Sequence, residues 1–168
     1  MNQGSLEALQ ISTPCFFWQQ MDVSIHQWKQ CLPLLELLKA CAQKKDLSRG
    51  SRLHEHILNR GLHKKNPHVA SCLIHMYAKC GALAKAQQVL EDLPARDVVS
   101  WSALIAGYAQ QGQGHEALNC FEQMQNDGLS PDMITFICLL KACGSIGAVD
   151  KGEQIHNEVA NRGFLAKN

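Results

Sequence analysis

The chain has 168 residues, 46% of them apolar, and a formal net charge of +1. That composition suits a folded core, the even charge announces no polyanion partner, and no apolar run approaches the ~20 residues of a membrane span. The eight cysteines include no CxxC, which argues for buried thiols in a reducing compartment over a disulfide or zinc framework.

In chain order, the first 29 residues carry Glu7, Asp22 and Lys29 and no arginine. They resemble neither an Arg-rich transit peptide nor a basic secretory start. Phe16-Phe17-Trp18-Gln19-Gln20-Met21 loosely echoes Phe121-Glu122-Gln123-Met124, so 1–29 reads as a degenerate helical hairpin.

From residue 30 the chain repeats itself. A shift of 102 places Leu38-Lys39-Ala40-Cys41 on Leu140-Lys141-Ala142-Cys143 and Asn59-Arg60-Gly61 on Asn161-Arg162-Gly163. A shift of 31 places Ser71 on Ser102, Tyr77-Ala78 on Tyr108-Ala109 and Gly81 on Gly112. A shift of 35 carries Leu104 to Leu139 and Gly128 to Gly163. The register gives units 31–66, 67–97, 98–132 and 133–168, of 36, 31, 35 and 36 residues.

Each unit reads as two helices. In the third, Val99, Leu104, Ile105 and Tyr108 keep helical spacing until Gly112-Gln113-Gly114. A second helix runs through Ala117, Leu118, Phe121 and Met124 and ends at Gly128 in left-handed conformation, with Pro131 barring continuation. The second unit breaks at Cys80-Gly81 and stops at Pro94; the fourth breaks between Gly144 and Gly147 and ends at Gly163. One hairpin cannot bury its apolar stripe, but a stack can. The predicted fold is all-α, a right-handed α-solenoid of about four tandem helix-turn-helix repeats over 30–168, with first helices lining a concave face.

Charge is uneven along the stack. Between Gln30 and Asn66 lie Lys39, Lys44, Lys45, Arg49, Arg52, Arg60, Lys64 and Lys65 against Glu36, Asp46 and Glu55. Between Val98 and Asp132 there is no Lys or Arg. The basic stretch is either a phosphate-facing surface or a solvated face. His54-Glu55-His56 is not HExxH, and His54 and His156 share a repeat position, which marks them as structural. Tyr77, Tyr108 and Trp101 read as packing residues. No phosphate loop, nucleophile elbow or paired carboxylate appears, so no enzymatic activity, metal or cofactor is expected.

Tyr77-Ala78-Lys79-Cys80-Gly81, Ser100-Trp101-Ser102-Ala103-Leu104-Ile105, Glu116-Ala117-Leu118, Phe121-Glu122-Gln123-Met124 and Pro131-Asp132 resemble pentatricopeptide repeat (PPR) proteins. The length order resembles the long, short, standard, long alternation of the plant PLS subclass. The resemblance covers residues 30–168. The tetratricopeptide alternative has a uniform 34-residue unit and another aromatic pattern.

The resemblance implies single-stranded RNA binding at one base per repeat, read by the fifth and last residues of the unit. Carried over, these are Ser71 with Asp97 and Ser102 with Asp132, a pairing that favours guanine. Leu35 with Asn66 and Ile137 with Asn168 carry an apolar fifth residue and should read weakly or not at all. Leu32, His68, Val99 and Ile134 occupy the place that sandwiches bases, His68 being a departure from the pattern. The preference implied is 5′-N-G-G-N-3′. From residue chemistry alone, Asp97 and Asp132 are better read as helix caps, and Val99 and Ile134 serve equally as core; capping and reading can coexist.

The implied partners are single-stranded RNA and a separate editing or processing enzyme, with no DNA and no membrane. The implied role is organellar RNA processing or C-to-U editing. A mitochondrial or chloroplast address rests on the resemblance, since the N-terminus shows no transit peptide. The rival reading is a protein-interaction scaffold using the same groove. The last unit runs to the final residue without a polar capping helix, which points to a piece of a longer solenoid.

Overall fold

The structure, a computed structural model, describes residues 31–164. The hairpin expected over 1–29 and the position expected at Asn168 lie outside them. The chain divides into two compact units, Met1–Pro33 and Leu34–Asn168. Leu32 falls in the first unit and is exposed. The repeats belong to the second.

Among the described residues of that second unit every element is helical. The helices are α1 (34–44), α2 (Leu47–Asn59), α3 (Leu62–Lys65), α4 (Pro67–Lys79), α5 (Leu83–Glu91), α6 (Val98–Gln110), α7 (Gly114–Asn126), α8 (Met133–Ile146) and α9 (Val149–Asn161). Helices α4–α5, α6–α7 and α8–α9 are antiparallel hairpins, and α2 precedes them with α3 as a one-turn spacer. The sequence pattern does not foretell this spacer. It bridges the end of α2 and the cap of α4, after Gly61 turns left-handed at φ 61°.

Capping differs between the two helices of each hairpin. Asn66, Asp97 and Asp132 cap α4, α6 and α8 with their side chains. The starts of α5, α7 and α9 have no side-chain cap. A side-chain cap contributes about 1 kcal/mol, so the turns between units are the better-defined ones. Gly128 and Gly163, expected as left-handed helix ends, have φ of 75° and 73°.

The core is a stack of first helices. Helix α4 packs on α6 and α6 on α8, while each second helix touches its own first helix, and α5 and α7 also touch the next one. Among the described helices, second helices are not packed on one another; α9 reaches α7 through a side chain, Lys151 Nζ lying 3.7 Å from Glu122 Oε1. First helices are thus crowded and second helices splayed, which curves the stack with the first helices inside. Leu73, Ile74, Met76, Leu104, Ile105 and Leu139 are fully buried along the inner helices, each contributing on the order of 2 kcal/mol relative to exposure. Close approach needs missing side chains: a Cβ on Gly107 would lie 2.6 Å from Ala78 Cβ, and one on Gly114 would lie 2.7 Å from the Ala142 carbonyl oxygen.

Polar tethers set the units against each other. Tyr77 and Tyr108, read as packing residues, are buried. The Tyr77 hydroxyl lies 2.9 Å from His54 Nδ1 on α2, and the Tyr108 hydroxyl donates to Gln87 on α5 at 2.8 Å. Each tyrosine therefore reaches back to the preceding second helix. Trp101 is buried too, and its Nε1 donates to Asp127 at 3.0 Å, with Arg96 beside the same carboxylate. Of the cysteines placed inside helical patterns, Cys41, Cys120 and Cys143 are buried free thiols and Cys72 and Cys138 are half-buried. Burial pushes Cys120 up to about 12.

His54 and His63 give the fold a pH dependence. Burial lowers both imidazoles below 6.5, helped by His63 beside His54 and by Lys64 beside His63, and opposed by Asp92. The His63 Nδ1 is buried without a hydrogen-bond partner. The unfolded chain takes up these protons first. Stability is therefore full above about pH 6.5 and falls as pH drops below it, through the folded-state values. The melting temperature should fall between pH 7.5 and pH 5.5, and His63→Phe should flatten that slope. An unchanged slope would place the acid sensitivity elsewhere.

Candidate nucleic-acid interface

Asp97 and Asp132 sit at the turns between units. Asp97 caps α6: its Oδ1 accepts from Ser100 N–H at 2.8 Å, and Ser100 Oγ contacts the same oxygen. Asp132 caps α8: its Oδ1 accepts from Thr135 N–H at 2.8 Å and from Thr135 Oγ1 at 2.7 Å. In both pairs the cap uses Oδ1. Among the described residues, Oδ2 of each makes no hydrogen bond within the protein. Both carboxylates are half-buried.

The serines stand one turn into their helices. Ser71 is 8% exposed and donates from Oγ to Pro67 O at 2.9 Å. Ser102 is 7% exposed, with Oγ 2.6 Å from Val98 O and 2.6 Å from Thr135 Oγ1. Ser and Thr bond back to the carbonyl four residues earlier in this way when mid-helix. A hydroxyl has one proton, so Ser71 offers a ligand only lone pairs.

The neighbouring positions divide by exposure. Val99 and Ile134 are 53% and 62% exposed, so neither belongs to the core. His68 is exposed and its N–H donates to Asn66 Oδ1 at 3.0 Å. Leu35 is buried, whereas Ile137 is exposed. Asn66 is spent on capping α4.

A hollow of about 440 Å³ opens on the inner face, lined by Lys39, His68, Ser71, Cys72, His75, Val99 and Ala103. It gathers one side chain from α1, four from α4 and two from α6. Two further hollows continue from it: one shares Lys39 and His75 and adds Lys45 and Lys79, the next shares Lys45 and Lys79 and reaches Gln110. Three lysines thus border one trough. Burial and the nearby Lys79 lower His75, which keeps its imidazole neutral at pH 7. Of these residues, Lys39 and Lys45 belong to the basic stretch noted in the sequence. Cys72, His75 and Lys79 carried no signal for the groove. Ser100 and Thr135 had one: each follows a capping Asp by three residues, a helix-start signature. Among the described residues no three His, Cys, Asp or Glu side chains converge as a metal site would require, and no helix is long and apolar enough to cross a membrane.

A model of the PPR repeat family matches residues 96–145, and a model of the PPR repeat matches 69–98. Similar curated proteins come from Arabidopsis thaliana. A pentatricopeptide repeat-containing protein labelled mitochondrial is 42% identical over 71% of this chain and 16% of its own length. DOT4, labelled chloroplastic, is 41% identical over 72% of this chain and 14% of its own. CRR2, also chloroplastic, is 40% identical over 73% and 18%. The chain thus spans less than one fifth of the length of these three relatives. Among solved structures, maize PPR10 superposes with a TM-score of 0.64 at 24% identity, covering 77% of this chain and 19% of that one. A structure of PPR10 in complex with an 18-nt psaJ RNA element superposes with a TM-score of 0.50 at 20% identity, covering 77% of this chain and 25% of that one. These superpositions give the fold, a PPR solenoid. Repeat geometry, two family-model matches and relatives of high identity across most of the solenoid agree, and the chain belongs to the pentatricopeptide repeat family.

Proposed function

We propose that this solenoid binds single-stranded RNA along the inner face of its first helices. Ser71 with Asp97 addresses one base, and Ser102 with Asp132 the next. The observation that carries this reading is the hollow where recessed Ser71 meets exposed His68 and Val99 above a lysine-bordered trough. A base needs a polar edge to read, flat or apolar surfaces to stack on, and a path for phosphate. Those three requirements meet there.

The chemistry favours guanine. The Ser71 proton is held by Pro67 O and each Asp offers a free Oδ2, so the second unit presents acceptors only. Guanine presents N1–H and N2–H2 as adjacent donors on its Watson–Crick edge. Adenine and uracil each place an acceptor where one of those donors would be. The apolar fifth residues Leu35 and Ile137 offer nothing to read, and Val99 and Ile134 provide apolar faces between bases. The preferred sequence is 5′-N-G-G-N-3′.

The length alternation supports membership of the PLS subclass. Relatives labelled mitochondrial and chloroplastic support an organellar setting. There it would serve RNA processing or C-to-U editing with a separate enzyme as partner. A second reading, peptide binding in the same groove, is favoured by exposed Ile134 and Ile137 beside a third unit without Lys or Arg.

Fluorescence anisotropy at fixed salt separates these. Tightest binding of N-G-G-N over N-A-A-N and N-U-U-N is expected. Binding to no oligomer by a chain with helical circular dichroism would overturn the RNA reading in favour of the peptide one.

A further inference from the structure

The two Ser–Asp pairs differ in how their members are joined. In the third unit, Ser102 Oγ lies 2.6 Å from Thr135 Oγ1, which lies 2.7 Å from Asp132 Oδ1. One buried hydroxyl, on the first turn of the next unit's helix, touches both members of the pair; Thr135 is 0% exposed. In the second unit the equivalent residue is Ser100, also buried. Its hydroxyl turns toward its own cap instead, with Asp97 N and O each at 3.2 Å. Among the described residues no hydrogen bond joins Ser100 to Ser71.

We infer that Thr135 is a positioning residue for base recognition, locking Ser102 and Asp132 into one acceptor edge, and that Ser100 leaves Ser71 and Asp97 unlinked. This rests on the base-reading assignment above. Two hydroxyl protons serve three close contacts: Ser102 to Val98 O, Ser102 to Thr135, and Thr135 to Asp132. The Asp132 carboxylate is the strongest acceptor of the set, so Thr135 donates to it. Ser102 then shares its proton between Val98 O and the Thr135 oxygen. The distance between the two reading side chains is thereby fixed through one oxygen. A β-branched side chain holds that oxygen in place, because the γ-methyl restricts χ1. Serine at the same position lacks that restriction, and its hydroxyl turns to the Asp97 carboxylate and backbone without reaching Ser71. The third unit should therefore discriminate its base more sharply than the second.

The test reads base preference at each position, which a loss of general stability would not move selectively. N-G-G-N is titrated against N-A-G-N and N-G-A-N. Wild type should prefer guanine more strongly at the third nucleotide than at the second. Thr135→Val keeps size and the backbone cap while removing the hydroxyl. It should cut the third-position preference about five-fold, the worth of one hydrogen bond, and leave the second-position preference unchanged. Thr135→Ser should fall toward the level of the second position. Ser100→Thr should raise the second-position preference. Third-position preference unchanged in Thr135→Val overturns the inference and leaves base reading standing. Equal binding of all oligomers by wild type overturns base reading and the inference with it.

Discussion

Replacing Asp97 and Asp132 together with asparagine should move the preferred oligomer from N-G-G-N to N-A-A-N. The cap predicts the outcome. Each carboxylate spends Oδ1 on the first turn of the following helix and, among the described residues, leaves Oδ2 without a hydrogen bond. An asparagine would keep its carbonyl oxygen on the cap, as Asn66 does on α4, and turn its NH2 to where Oδ2 stood. Asparagine caps about as well as aspartate, so the fold persists. The outward group changes from acceptor to donor, opposes guanine N1–H and suits adenine N1. At about 1–3 kcal/mol for a well-read base, preference should shift roughly ten-fold or more at each position. An oligomer array with unchanged preference would reduce both residues to caps.

Gly114→Ala should destabilise the solenoid by about 1–3 kcal/mol, the usual cost of overpacking a tight contact. The added Cβ would stand 2.7 Å from Ala142 O, which is backbone, and 2.7 Å from Ile146 Cγ2. It would push α7 off α8, at the joint between the third and fourth units. Gly144→Ala, inside α8, meets nothing within 4 Å. It should stabilise by about 0.5–1 kcal/mol, since glycine is a poor helix former. Thermal or urea unfolding of the two variants should give opposite signs. Equal effects would mean that the α7–α8 joint adapts to bulk.

The helical layout was legible because it rests on local signals. Gly128 and Gly163 end helices where the apolar pattern stops. Asp97 and Asp132 announce helix starts as favoured caps. Four-residue α3 was not legible: Leu62-His63-Lys64-Lys65 has no periodic pattern and forms only because the chain must pass from α2 to the α4 cap. The contacts that join units were hidden for another reason. Arg96 with Asp127, Tyr108 with Gln87 and Ser102 with Thr135 lie 31, 21 and 33 residues apart. Nothing local fixes which side chains meet across such gaps. The candidate groove was half legible. The family resemblance pointed to Ser71, Ser102, Asp97 and Asp132, but only the packing of α1, α4 and α6 puts Lys39 and His75 beside Ser71.

The splayed second helices have a mechanical consequence. Material on the inner edge of the stack is continuous, helix against helix, whereas on the outer edge α5, α7 and α9 are not packed on one another and α7 meets α9 through the Lys151–Glu122 ion pair. A body built this way is stiff against stretching along its inner edge and soft against bending about it. Changes in curvature cost little between the second helices because they strain an exposed ion pair, Lys151 with Glu122, instead of breaking packed contacts. The hydroxyl tethers from Tyr77 and Tyr108 act as short springs across the first two joints. The spacing of successive units along the inner edge is therefore held, while the curvature of the stack adjusts.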